Sequence, residues 1–254
     1  MKKLIMVMLL ILGISVVSFS KDNSLERVKE NGKFIVGLDD TFAPMGFRDD
    51  KGEIVGFDID LAKETAKRMG VKLELKPCEW DGILFELKSG KIDMVWSGMS
   101  ITPAREKQAS FSKPYYQGGQ VIFSKKDNKI SKIDELAGKI VGLQLGSTGD
   151  FALQETAVFP RIKKVKKYGT LIESLMDLEA GRLDAVVAAS SAGGYYNSKN
   201  KTLAMSSESI LEGDASGIAF RKEDNSLREE IDKIIDEMKL DGTYKKIYVK
   251  WFGE

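Results

Sequence analysis

The chain is 254 residues long, 43% hydrophobic and 30% charged, with 39 basic and 38 acidic residues and a formal net charge of +1. This balance excludes a disordered chain, a collagen-like fibre and a multi-span membrane protein, and gives no basic excess for a nucleic-acid partner. There is no histidine and one cysteine, Cys78, which removes His-based catalysis, His-ligated or thiolate-cluster metal sites and internal disulfides.

Lys2 and Lys3 precede an almost unbroken apolar run over residues 4–19, with small residues at Ser18 and Ser20. A charged start, an apolar core and small residues before the cut describe a secretory signal peptide, cleaved after Ser20. The rival reading is a membrane anchor, but sixteen residues at 1.5 Å each span about 24 Å, short of the ~30 Å hydrocarbon core. No cysteine lies near the cut to carry a lipid. The mature chain would hold 37 basic and 38 acidic residues and be exported and soluble, periplasmic or extracellular. Its lone thiol suits an oxidising compartment.

Short apolar strands then alternate with helical stretches. Residues 34–38 read as a strand entering a turn-rich segment, 39–56. Ile59, Ala62, Ala66 and Met69 recur at helical spacing, and Gly70 stops that helix. Val71, Leu73 and Leu75 alternate with Lys72 and Glu74 as a half-buried strand. Residues 80–87 read as helix and 92–96 as strand, followed by Thr102-Pro103, a hydroxyl cap with Pro at the first helical position. Further on, residues 121–123, 140–143, 185–188 and 217–220 read as strands. Helices are expected after Gly146, over 171–180 and over 226–240. Lys163-Lys164-Val165-Lys166-Lys167 reads as a solvated face around one buried Val. Repeated strand–helix units predict parallel sheets covered by helices.

One segment repeats. Leu87-Lys88-Ser89-Gly90-Lys91-Ile92-Asp93-Met94-Val95 matches Leu178-Glu179-Ala180-Gly181-Arg182-Leu183-Asp184-Ala185-Val186, 91 residues later. That distance is far beyond solenoid periods, and it points to two similar α/β lobes. One continuous sheet with two similar turns is the alternative.

Gly56-Phe57-Asp58-Ile59-Asp60-Leu61 resembles the G-F-D-x-D-L motif of family 3 extracellular solute-binding proteins, the polar amino-acid receptors of ABC importers. Thr41-Phe42-Ala43-Pro44, Ser97-Gly98-Met99-Ser100-Ile101-Thr102 with Arg105, the 142–148 segment and Asp241-Gly242-Thr243-Tyr244 are similar to further motifs of that family, in order and spacing. The resemblance implies an α/β, two-lobed periplasmic binding protein fold. Each lobe would be a mixed sheet with helices on both faces, and two crossover hinge strands would join them. Lobe one would comprise residues 21–116 and 213–254, and lobe two residues 117–212.

The resemblance also implies a site without cofactor or metal. Arg105 would hold a ligand carboxylate through its planar fork. Thr102 would serve as cap and nearby hydroxyl, and Ser97, Gly98 and Ser100 would line the floor. Ser147 and Thr148, at a predicted helix start, would share the carboxylate from the other lobe. Phe42 and Trp80 would wall the ligand side chain, and Asp39 would hold a polar or cationic group, with Glu79 as a second negative charge. The family usually carries an Asp for the ligand ammonium where this chain has Ala189. Asp39, Glu79 or Ser190 would have to substitute, or the ligand lacks a standard ammonium.

The expected partners are a small carboxylate-bearing ligand, in particular a polar or cationic amino acid, and ABC permease subunits. The alternatives are a sensor of the same fold and an enzyme similar to cyclohexadienyl dehydratases, for which Glu173 would be the general acid.

Overall fold

The computed structural model describes residues 22–253. The expected signal peptide therefore lies outside the described residues. In chain order, α1 (Ser24–Asn31) leads into β1 (Lys33–Leu38), and β2 (Thr41–Phe42), β3 (Gly46–Arg48) and β4 (Ile54–Val55) form a small antiparallel sheet. There follow α2 (Phe57–Met69), β5 (Lys72–Pro77), α3 (Ile83–Lys88), β6 (Met94–Val95), α4 (Pro103–Glu106), β7 (Ser110–Phe111) and β8 (Tyr116–Lys125). A second unit runs through β9 (Ile140–Gln144), α5 (Thr148–Gln154), β10 (Lys164–Tyr168), α6 (Leu171–Glu179), β11 (Ala185–Ala189) and α7 (Ser190–Asn200). β12 (Leu203–Ser216) completes the second sheet, and β13 (Ala219–Phe220), α8 (Asn225–Leu240) and α9 (Thr243–Phe252) return to the first unit.

Two five-stranded sheets carry the fold, ordered β5-β1-β6-β13-β7 and β10-β9-β11-β8-β12. β1 pairs in parallel with β5 and β6, while β13 runs against β6 and β7. In the second sheet β9 is parallel to β10 and β11, while β8 runs against β11 and β12. The fold is two-lobed with mixed sheets. β8 and β12 pair from Lys125↔Leu203 to Tyr116↔Ser216, so two adjacent strands carry the chain out of the first unit and back.

The repeated segment has a physical basis. After α3 and after α6, an Asp reaches back to the strand beside it: Asp93 accepts the Ile35 N–H at 2.9 Å, and Asp184 accepts the Ile140 N–H at 2.7 Å. The residue before each Asp packs on a strand glycine. A Cβ at Gly37 would lie 2.4 Å from Ile92, and one at Gly142 would lie 2.4 Å from Leu183. The same local solution starts both sheets.

Local signals also locate the helix ends. Gly70 closes α2 with φ of 69°, its N–H bonded to Ala66 and Lys67 carbonyls. Thr102 caps α4 and Thr170 with Glu173 forms a reciprocal capping box on α6. Phe57 is fully buried against Tyr115, Tyr116, Tyr244, Tyr248 and Phe252, which pins α9 to α2. Full burial of such a side chain contributes about 1.5–3 kcal/mol.

Two expectations need correction. Residues 39–56 contain three strands of two or three residues, too short for alternation to register. The lysine-rich stretch lies in and beside β10, an edge strand in which Val165 is half-buried rather than buried, and Lys167 is ion-paired to Asp150 at 2.9 Å.

Candidate ligand-binding site

Ligand sites in open α/β sheets lie beyond the carboxyl ends of the strands. Here the ends of β1, β6, β9 and β11 meet between the two sheets. They bring Asp39, Phe42, Gly98, Ser100, Ser147, Thr148 and Ala189 to one hollow, with Trp80 from the loop after β5 and Asp214 from β12. Seven of the ten expected positions are on its wall: Asp39, Phe42, Trp80, Gly98, Ser100, Ser147 and Thr148.

Arg105 lies behind this wall, 6% exposed. Its Nη1 donates to the Ser100 carbonyl at 3.1 Å and to Thr148 Oγ1 at 2.9 Å, and its Nη2 donates to the Gly146 carbonyl at 3.2 Å. Thr148 in turn donates to Ser100 Oγ at 2.8 Å. The guanidinium therefore bridges the two sides of the cleft. Its hydrogen-bond partners are all neutral oxygens, and among the described residues no carboxylate comes within ion-pair distance of it. Burial lowers its pKa to about 10, opposed by the charge of Asp214, so it remains a cation at neutral pH. A buried cation with neutral neighbours is a strong attractor for an anionic group.

Trp80 lies beside it. The indole N–H donates to the Gly146 carbonyl at 3.1 Å, and the guanidinium carbon stands 5.5 Å from the ring centroid, within cation–π range. Phe42 packs on Gly98, whose φ is +57°, and a Cβ there would lie 2.8 Å from Phe42 Cε1. Glycine is needed at that position both for its conformation and for its lack of volume.

Ser97 and Thr102 are not on the wall. Ser97 Oγ accepts the Asp39 N–H at 3.1 Å, and Thr102 Oγ1 accepts the Arg105 N–H at 3.3 Å. Each orients a neighbour. Ser147 caps α5 through the Asp150 N–H at 3.1 Å while also facing the hollow.

Asp39 is buried and fully engaged. Thr41 donates its N–H and hydroxyl to Oδ1 at 2.9 and 2.6 Å, and Gln144 Nε2 donates to Oδ2 at 2.7 Å from the opposite sheet. Glu79 is exposed and faces a neighbouring hollow shared with Asp39 and Asp40. At the start of α7, Ala189 and Ser191 face the main hollow, and Ser190 is not among its lining residues. Glu173 is exposed, and its carboxylate accepts the Thr170 N–H at 3.0 Å in the cap of α6.

Gln144, Gln120, Tyr116 and Asp214 line the hollow without having been expected there. Gln144 left a faint signal as the polar end of an apolar strand. Asp214 left none, because β12 is rich in Ser and acidic residues and shows no alternation. Behind the floor, Asp58 of the G-F-D-x-D-L motif accepts the Gly98 N–H at 2.7 Å. Complete burial raises its carboxyl to about 7, opposed by hydrogen bonds from Tyr115 and Gly98.

The chain is similar to known proteins along nearly its whole length. The chain is 36% identical over 252 residues to the L-cystine-binding protein TcyJ of Escherichia coli K12, covering 98% of this chain and 93% of that protein. It is 35% identical over 262 residues to the lysine/arginine/ornithine-binding periplasmic protein of the same strain, covering 99% and 97%. Among solved structures, an ancestral arginine-binding protein bound to arginine superposes with a TM-score of 0.83 at 46% identity, covering 87% of this chain and 99% of that one. The profile described as bacterial extracellular solute-binding proteins, family 3, matches residues 34–254, and the chain belongs to that family.

Proposed function

We propose that this protein captures a small amino acid with a polar or cationic side chain between its two lobes and delivers it to an ABC transporter. The observation that carries the reading is Arg105: a buried cation, bonded across the cleft to Thr148, which itself lines a hollow walled by Phe42 and Trp80. Asp39 in that hollow, with Asp40 and Glu79 in the adjoining one, favours a ligand with a positive or polar end. The names of the relatives, which include binders of cystine, arginine and other basic amino acids, support the same class.

In this reading residues 21–116 and 213–254 form lobe one, residues 117–212 form lobe two, and β8 with β12 is the hinge. Ligand contacts drawn from both lobes exist only when the lobes are closed, so the ligand shifts the equilibrium by its preference for that state. The protein works after export, in the periplasm or outside the cell, and without chemistry. Among the described residues no helix is long and apolar enough to cross a membrane. A dehydratase activity loses its candidate acid, since Glu173 caps α6 and is absent from the hollow's wall.

Thermal unfolding with each of the standard L-amino acids and L-cystine tests the proposal. A true ligand at 100 times its Kd adds about 2.7 kcal/mol, which for a chain of this size raises Tm by about 5–10 °C. If no amino acid raises Tm and calorimetry detects no binding, the proposal fails.

A further inference from the structure

Two buried carboxylates face the hollow, and a glutamine amide holds one oxygen of each. Gln144 bonds Asp39 Oδ2 at 2.7 Å, and Gln120 bonds Asp214 Oδ2 at 2.6 Å. They differ at the second oxygen. Asp39 Oδ1 takes both donors of Thr41, whereas Asp214 Oδ1 is buried with no hydrogen-bond partner among the described residues. Asp214 is only 7% exposed, and a buried carboxylate oxygen to which no described group donates is in an expensive state.

Position adds a second argument. Ser100, whose carbonyl accepts from Arg105, pairs with Ser216, two residues beyond Asp214, and the charge of Asp214 opposes the lowering of the guanidinium's pKa by burial, yet the two do not form an ion pair. A buried cation behind the hollow's wall and an acceptor carboxylate on that wall are thus neighbours in the fold. The α-carboxylate and α-ammonium of an amino acid are a matching pair of opposite charges carried on one carbon. Ala189, on the same wall, brings only a methyl group.

Resting on the reading of the site as an amino-acid receptor, we infer that Asp214 accepts the ligand's α-ammonium through Oδ1. The ligand is then a complete α-amino acid, with its head group between Arg105 and Asp214. Its side chain runs past Phe42 and Trp80 towards Asp39 and Gln144. Gln120 is a positioning residue that fixes the carboxylate through its other oxygen. The free acceptor on β12 makes an acidic residue at position 189 unnecessary.

Calorimetry on the mature protein tests this, with the L-amino acid that raises Tm most and its deaminated analogue as probes. Asp214→Asn keeps an oxygen for Gln120 and removes the charge. It is expected to weaken the amino acid roughly 30- to 5,000-fold while changing the deaminated analogue by less than about threefold. Ala189→Asp in the Asp214→Asn background is expected to recover part of the lost affinity, because it returns a carboxylate to the same hollow. Unchanged amino-acid affinity in Asp214→Asn, with the wild-type protein binding normally, overturns the assignment of Asp214 alone. Equal losses for the amino acid and its deaminated analogue also overturn it, since that pattern is structural damage. Failure of the wild-type protein to bind any amino acid would instead overturn the receptor reading on which the assignment rests.

Discussion

Gln144, the last residue of β9, donates to the Asp39 carboxylate 2.7 Å away, although Asp39 follows β1, a strand of the other sheet. The same amide also donates to the Gly169 carbonyl at 3.1 Å, so it is fixed on its own side before it reaches across. This contact and the Arg105–Thr148 contact are two separate latches on one cleft.

Gln144→Ala should therefore weaken ligand binding without unfolding the protein. A hydrogen bond to a charged group is worth about 1.5–3 kcal/mol, or roughly 10- to 150-fold in affinity. The loss should fall mainly on the dissociation rate, which stopped-flow release of a labelled ligand would measure. A variant with wild-type release kinetics would show that the contact does not hold the cleft shut.

Arg105 should be intolerant even of lysine. Arg105→Ala removes the buried cation and should cost about 2–5 kcal/mol of binding, roughly 30- to 5,000-fold. Arg105→Lys keeps the charge but not the fork that reaches Ser100, Thr148 and Gly146 together, and should recover only part of the loss. Titration calorimetry on both, with circular dichroism to confirm the fold, checks this. Wild-type affinity in Arg105→Ala would remove the central residue of the proposed site.

Gly98→Ala should damage both stability and binding. The left-handed backbone costs about 1–2 kcal/mol for a residue with a Cβ. The added atom would also press on Phe42 at 2.8 Å and Met45 at 3.2 Å. Denaturant melts should show the first effect. The second should appear as weakened affinity, because Phe42 is displaced from the wall. A Gly98→Ala protein with full affinity would mean that Phe42 does not contact the ligand.

Asp58 predicts a pH dependence of stability. Its carboxyl titrates at about 7 when folded, against an ordinary value of 3.8. Between those values the folded state keeps a proton that the unfolded state has released. Its contribution is thus fully present below about pH 4 and disappears as pH rises through 7. Three pH units at about 1.4 kcal/mol each set a ceiling of about 4 kcal/mol. Asp224 and Asp232 are also raised by burial and act in the same direction, so the comparison must be with Asp58→Asn. Guanidinium melts from pH 5 to 7.5 should slope downwards for the wild-type protein and less steeply for the variant. Equal slopes would show that Asp58 is already ionised in the folded state.

The parts of the fold that were legible in the sequence are those set by local rules. The apolar run of β1, the Gly70 stop and the Thr102-Pro103 cap depend on neighbours in the chain, and all appear where the pattern places them. The repeated Asp before β6 and β11 was legible as a repeat, and its cause, a bond to the adjacent strand, needed the structure. In the site, Phe42, Trp80, Gly98, Ser100 and Thr148 were expected from the family resemblance; Trp80 and Thr148 also sit at helix starts that the pattern located, whereas Phe42 lies in β2, which the pattern did not show. Asp214 and Gln120 were missed. They meet through pairing of β8 with β12 across 94 residues, and the Ser-rich β12 gives no periodicity from which a facing could be read.

That strand has one more property. Its pairing with β8 is irregular, slipping between Leu211 and Asp214, just before the residue assigned to the ammonium. Side chains alternate along a strand, so a slip of one position exchanges inside for outside. The acidity of the cavity is therefore set partly by where the backbone miscounts. Losing or gaining a single residue at Gly213 would turn the carboxylate away and alter selectivity with every wall residue intact.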